Sequence, residues 1–287
     1  MTRKVDDAAL SVTFWGVRGS TATPGRGTLA YGGNTTCLEI RAGDRRVILD
    51  AGSGIIGLGA ALAGDPPQPI HIVLSHLHHD HIEGLFFFAP LFRPRTEIIL
   101  YCGNLDGASA EVPLRRYYSP PLFPLRFEDV PASVRYVGFR AGETLDIGGM
   151  PVRTHPLRHP GGATGYRFDH AGRSVAVLTD HEHAGEAPEP DLVAFTRGCD
   201  LIAYDATFDD ADYAGHRGWG HSTPSMGAAL AEAAGAGGLA CIHHAPQYDD
   251  ARLDRMEAAL RERLPTGFFA REGASVGFSP RSARRKP

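Results

Sequence analysis

Five of the chain's 14 histidines fall within the eleven residues from His71 to His81. The densest part reads Ser75-His76-Leu77-His78-His79-Asp80-His81 and follows the apolar run IHIVL. Imidazole and carboxylate groups suit divalent transition metals, zinc above all. Side chains alternate in an extended segment, so His76 and His78 project to one side and can reach one metal. Asp80 and His81 come after the chain turns into the next helix, where they can address a second metal nearby. Packing four histidines and an aspartate as ordinary core would carry a severe desolvation cost.

The elements that must position this cluster are short apolar runs separated by Gly, Pro and Asp. Strands are predicted at 12–17, 35–40, 46–49, 70–75, 97–101, 134–139, 150–155, 165–169, 174–179, 201–205 and 239–242. Short helices are predicted at 54–62 and 82–88. Thr223 followed by Pro224 signals a helix start, ending near the glycines at 235–238. Asp249 or Asp250 can cap a second helix with Leu253, Met256, Leu260 and Leu264 on one face. Residues 104–131 lack a clear period and read as a cap or insertion loop bordering the site. No linker splits the chain, so residues 10–279 read as one domain, and 280–287 as a basic, disordered tail. These alternations predict two β-sheets covered by helices.

Composition removes several function classes. Of 287 residues, 22% are charged and 43% hydrophobic, too rich a core for intrinsic disorder. The 35 glycines show no triplet period. No stretch of 18 apolar residues predicts a membrane span, and Asp6 and Asp7 interrupt any leader-like start. Four cysteines without CxxC spacing read as buried thiols in a reducing cytoplasm. A net charge of −4 argues against a broad nucleic-acid footprint. Gly52-Ser53-Gly54-Ile55-Ile56-Gly57 fits a dinucleotide-binding pattern, but Ser75 and His76 stand where its ribose-binding acid belongs.

His76-x-His78-x-Asp80-His81 resembles the HxHxDH signature of the metallo-β-lactamase superfamily. The family's other motifs follow the same order. Asp50 in VILDAGSG matches its first aspartate, His159 in LRHPGG its isolated histidine, Asp180 in VAVLTDHEH its bridging aspartate, and His243 in LACIHHAP its final histidine. The resemblance implies an α/β fold, a four-layer αββα sandwich of two mixed sheets flanked by helices. It also implies two divalent metal ions, Zn2+ ahead of Mn2+ or Fe. His76, His78 and His159 would hold one, and Asp80, His81 and His243 the other. Asp180 and a hydroxide would bridge them, and Asp50 would orient a ligand or its loop.

Several histidines leave alternatives open. His79 reads as a neighbour of the ligands, and His244 as a weaker candidate than His243. His181 and His183 read as loop residues at the pocket edge, His155 as a weaker third-motif candidate, and His71 as structural.

Trp219-Gly220-His221-Ser222-Thr223 is similar to the HST motif of the family's ribonuclease Z-like and phosphodiesterase branch. Tyr204-Asp205-Ala206-Thr207-Phe208 is similar to that branch's EAT segment, with Asp for Glu. This resemblance implies an Asp205–His221 acid pair beside the metals, with Asp80 also in the catalytic set. Gly16-Val17-Arg18-Gly19-Ser20 and Tyr31-Gly32-Gly33-Asn34-Thr35 resemble a bacterial "GVRGS…GGNT" subgroup. Arg18 and Asn34 read as turn or strand-edge residues before pocket-lining ones.

The expected activity is therefore hydrolysis of a small phosphodiester such as a cyclic nucleotide, by a metal-bridging hydroxide with the Asp-His pair assisting the leaving group. Alternatives are a thioester or lactone hydrolase, ribonuclease Z-like RNA processing, and a non-enzymatic metal-binding protein. A small phosphoester is the expected partner, ahead of nucleic acid and with no membrane. The apolar stretch 120–127 suits either a pocket cover or a homodimer contact.

Overall fold

A computed structural model describes residues 9–65 and 68–281; most of the basic tail lies outside them. The first sheet contains β1 (Leu10–Gly16), β2 (Cys37–Ala42), β3 (Arg45–Leu49), β4 (Ile70–Leu74), β5 (Glu97–Cys102), β6 (Ser133–Gly138) and β14 (Ser275–Phe278). Its order is β14-β1-β2-β3-β4-β5-β6. Pairing is antiparallel from β14 to β3 and parallel from β3 to β6. The second sheet contains β7 (Thr144–Ile147), β8 (Met150–Leu157), β9 (Ala163–His170), β10 (Arg173–Leu178), β11 (Leu201–Asp205), β12 (Leu239–Ile242) and β13 (Gly267–Phe269). Its order is β13-β12-β11-β10-β9-β8-β7, with a parallel half from β10 to β13.

Strand alternation builds the layers. On β4, Val73 enters the core between the sheets, while Ile72 and Leu74 face the outer apolar layer. On β10, Val175 and Val177 face inward while Ala176 and Leu178 face the opposite way. Such central strands bury both faces and read as continuous apolar runs. Helices cover each outer face: α1 (Ile55–Ala61), α2 (His79–Ile82) and α3 (Glu111–Tyr117) on one side, α4 (Pro190–Thr196), α6 (Pro224–Ala234) and α7 (Asp250–Arg263) on the other. The short helix α5 (Asp210–Tyr213) precedes α6. The result is an αββα sandwich of two mixed sheets. Among the described residues, no helix is long and apolar enough to cross a membrane.

Local signals explain the helix ends. Thr223 accepts from the Met226 backbone N–H, Pro224 opens α6, and Gly235 closes it in the left-handed region. Asp249 caps α7 through the Arg252 backbone N–H. Two expectations need correcting. The helix expected at 82–88 starts earlier, at His79, and ends at Ile82; Leu85–Phe87 is one tighter turn. The expected cap loop at 104–131 contains α3, and Leu114, Tyr118 and Phe127 pack in the outer apolar layer. Its aromatic residues pack on Phe86, whose ring stacks on Tyr118 at 4.3 Å and meets Phe127 edge-on at 4.8 Å.

Candidate metal centre

The site forms at the carboxyl ends of the parallel strands, the usual place for ligands in such sheets. Asp50 follows β3, Ser75 to His81 follow β4, Asp180 follows β10, Asp205 ends β11 and His243 follows β12. Asp50, Asp180 and His243 have φ of 62°, 59° and 63°. These left-handed turns at non-glycine residues carry a conformational cost and concentrate at functional sites.

Two donor sets come together, and Asp180 joins them. His76, His78, His159 and Asp180 form one group, and Asp80, His81 and His243 another. Asp180 Oδ2 lies 3.6 Å from His76 Nε2 and 3.5 Å from His159 Nε2. Asp180 Oδ1 lies 3.2 Å from both His81 Nε2 and His243 Nε2. Asp80 Oδ2 lies 3.3 Å from His81 Nε2 and 3.1 Å from His243 Nε2. His78, the exposed member, brings Nδ1 within 3.0 Å of His159 Nε2.

The surrounding residues fix the ring nitrogens. His76 Nδ1 lies 3.0 Å from Ser75 Oγ, and His81 Nδ1 2.8 Å from Asp50 Oδ2. His159 Nδ1 lies 2.8 Å from the Gly220 carbonyl, and His243 Nδ1 2.9 Å from Thr207 Oγ1. The Asp50 carboxylate and the Gly220 carbonyl can only accept, so Nδ1 of His81 and of His159 donates outward. The Ser75 and Thr207 hydroxyls anchor His76 and His243 at the same ring atom, and all four rings turn Nε2 to the common space. His76 Nε2 and His81 Nε2 are buried without a hydrogen-bond partner. The Asp180 oxygens near them are close, but hydrogen-bond geometry is lacking.

Charge makes the same demand. Asp50, Asp80, Asp180 and Asp205 are all buried. Burial pushes the Asp180 carboxyl up, but the imidazoles of His243, His81 and His76 hold it well below the usual carboxylate range. Burial pushes His81 down, and the carboxylates of Asp180, Asp80 and Asp50 reverse this and raise it. Without another cation, imidazole protons must balance these carboxylates. Divalent cations fit both the converging lone pairs and the charge.

A second unit adjoins the donors. His221 Nδ1 donates to Asp205 Oδ2 at 2.8 Å. Asp205 Oδ2 also accepts from the His181 backbone N–H at 3.1 Å, and Oδ1 accepts from Thr207 N at 3.0 Å and Thr207 Oγ1 at 2.7 Å. The His221 ring stacks 4.8 Å from that of His243. Asp205 is thus held by three groups besides His221, and both rings are set in place.

The remaining histidines sort clearly. His244 turns away, donating from Nε2 to the Ala270 carbonyl at 2.9 Å and stacking on Phe269. His79 contacts Glu83 at 2.9 Å and Tyr117 at 2.5 Å, so its expected place against the ligands is corrected to the surface. His155 stacks on Phe195, His183 bonds Ser222 at 2.7 Å and His71 bonds Tyr101 at 3.0 Å. The His181 side chain is buried 3.6 Å from Glu189. Arg18 binds three backbone carbonyls, and Asn34 bonds Glu272 and Ser53; neither belongs to the donor sets.

Three contributors were not read from the sequence. The Ser20 backbone N–H donates to Asp80 Oδ2 at 2.7 Å. Thr207 joins Asp205 to His243. Buried Glu182 accepts from the backbone N–H groups of Gly218 at 2.6 Å and Gly220 at 2.9 Å, pinning the loop that reaches His159 and His221.

Comparison with known proteins agrees with this architecture. A family model described as "Beta-lactamase superfamily domain" matches residues 45–244. Ribonuclease BN of Escherichia coli O81 (strain ED1a) is 24% identical over 278 residues, spanning 79% of this chain and 87% of that protein. The metallo-β-lactamase fold protein YhfI of Bacillus subtilis superposes with TM-score 0.69 at 18% identity, covering 93% of this chain and 98% of its own. A diphosphatase from the PhnP family superposes with TM-score 0.67 at 19% identity, covering 94% and 98%. The family match spans most of the chain and the fold agrees with it, so the protein belongs to the metallo-β-lactamase superfamily.

Proposed function

We propose that this hydrolase is a dinuclear metal-dependent phosphodiesterase of the ribonuclease Z-like branch, acting in the cytoplasm on a small phosphodiester such as a cyclic nucleotide. The observation that carries this reading is the buried Asp205–His221 pair beside the shared donor Asp180. His76, His78 and His159 would hold one ion, and Asp80, His81 and His243 the other, with Asp180 between them. The histidine-rich donor set favours Zn2+, with Mn2+ and Fe as alternatives. When bound, two divalent ions polarise the phosphoryl group and lower the pKa of water.

The protein's own groups do the rest. Asp205 engages His221 Nδ1, which leaves Nε2 to carry the working proton. As an oxygen from water bonds to phosphorus and the ester P–O bond breaks, that proton passes from Nε2 to the leaving oxygen. Ser75, Asp50, Gly220 and Thr207 keep the donor rings from rotating. The preference for a small ester rests on the net charge of −4, since binding of a long polyanion is driven by basic contacts. The name of the E. coli relative favours a second reading, RNA processing.

The test is hydrolysis of bis(p-nitrophenyl) phosphate after chelation and reloading with Zn2+ or Mn2+. Turnover that returns with metal and is lost in Asp180→Ala supports the reading. Absence of metal-dependent turnover contradicts it. Stronger lactone or thioester turnover that is indifferent to His221→Ala would move the protein to another branch.

A further inference from the structure

We infer that the substrate carries a planar aromatic group, a nucleobase, and that it stacks on Trp219. This rests on the phosphodiesterase reading above and narrows its substrate class. Trp219 is 61% exposed. Of the eight exposed large hydrophobic side chains among the described residues, it is the one in the segment that carries His221. An indole this open offers a planar, amphipathic face on which another ring can stack.

Its position says which ring that is. Trp219 stands two residues before His221, and the intervening Gly220 gives its carbonyl to His159. A continuous aromatic path joins the indole to the reacting centre. The Phe208 ring lies 5.9 Å from His221 and 6.3 Å from Trp219, both edge-on. His216 stacks on Phe208 at 4.1 Å and meets the Trp219 ring edge-on at 4.9 Å. One intervening ring therefore separates the indole from the imidazole.

The indole is also held before anything binds. Gly218 and Gly220 flank it at φ of 86° and 89°. Glu182 accepts from both of their N–H groups and from the Tyr213 hydroxyl. This carboxylate clamp fixes the loop, so an arriving ring meets a platform whose ordering cost is already met. Base–aromatic stacking is tolerant of base identity, so the platform selects bases as a class.

The experiment compares two five-membered cyclic phosphodiesters on the metal-loaded full chain. Adenosine 2′,3′-cyclic monophosphate carries a base; ethylene phosphate has the same reactive ring without one. Trp219→Ala is expected to lower kcat/KM for the nucleotide by roughly five- to hundredfold. Ethylene phosphate should change less than twofold, and Trp219→Phe should restore most of the loss. Equal losses on both substrates, or no loss on either, would overturn the inference.

A binding arm decides the matter when neither cyclic ester turns over, a result that would count against the phosphodiesterase reading alone. The chain has two tryptophans, so the fluorescence difference between wild type and Trp219→Phe isolates the ledge. Adenosine 5′-monophosphate should quench that difference saturably, and ribose 5-phosphate should not. Equal responses to the two ligands would overturn the inference. So would a dimer on gel filtration that Trp219→Ala dissociates, because a second copy would then cover the indole.

Discussion

The Asp205 carboxylate and the His221 imidazole lie 2.8 Å apart, with Asp205 fully buried. The carboxylate holds the proposed proton donor in one orientation and favours its protonated form, with an N–H on both ring nitrogens. Removing the donor should matter most when the leaving oxygen is strongly basic. His221→Ala is expected to lower kcat by about 10²–10⁴ on an alkyl ester, and much less on a p-nitrophenyl ester. Steady-state kinetics on the two leaving groups checks this. Equal losses would contradict the acid role.

The same contact sets a pH dependence. Burial pushes His221 down, and the Asp205 carboxylate outweighs this, lifting the pKa to about 9. The working form is protonated, so activity should fall as pH rises through that value. Bound cations push it back down, which places the basic limb at or below pH of about 9. A pH–rate profile should show this limb in the wild type and not in His221→Ala.

Asp50 meets Ser75 Oγ at 2.8 Å and His81 Nδ1 at 2.8 Å, entirely inside the protein. It orients a donor without joining the donor set. Asp50→Asn is expected to weaken metal affinity by about 10- to 100-fold while the fold persists. Competition with a chromogenic chelator measures this, with circular dichroism as the fold control.

Gly220 is required twice over. Its φ of 89° disfavours side chains, and a Cβ there would sit 2.3 Å from His159 Nδ1. Gly220→Ala should displace the His159 ring and cost about 1–3 kcal/mol. Metal content should drop more than urea stability does.

Arg18 is buried with no exposed surface and donates to the carbonyls of Gly32, Ala245 and Tyr248. It ties the first loop to the segment after His243. Arg18→Ala would leave three carbonyls without this donor, and a loss of about 3 kcal/mol or more is expected in urea unfolding.

The residues of the candidate site were legible because side-chain type and spacing carry the signal. His76 and His78 fall in one donor group because the segment after β4 is extended, and Asp80 and His81 follow on the α2 turn. Glu182 was not legible, since its partners are backbone N–H groups 36 and 38 residues away, which any sequence provides. The Ser20 contact with Asp80 spans 60 residues for the same reason. In the fold, β13 has three residues and β7 and β14 have four, too few to display alternation. The helix α3 was hidden by Pro113 and by aromatic residues that the tertiary packing uses.

The central claim is a two-metal centre that hydrolyses a phosphodiester. Metal-free protein should be titrated with Zn2+ while bis(p-nitrophenyl) phosphate hydrolysis is followed. The account predicts a rate that rises to a plateau at two equivalents per chain. A plateau at one equivalent, or no activity at any loading, would contradict it.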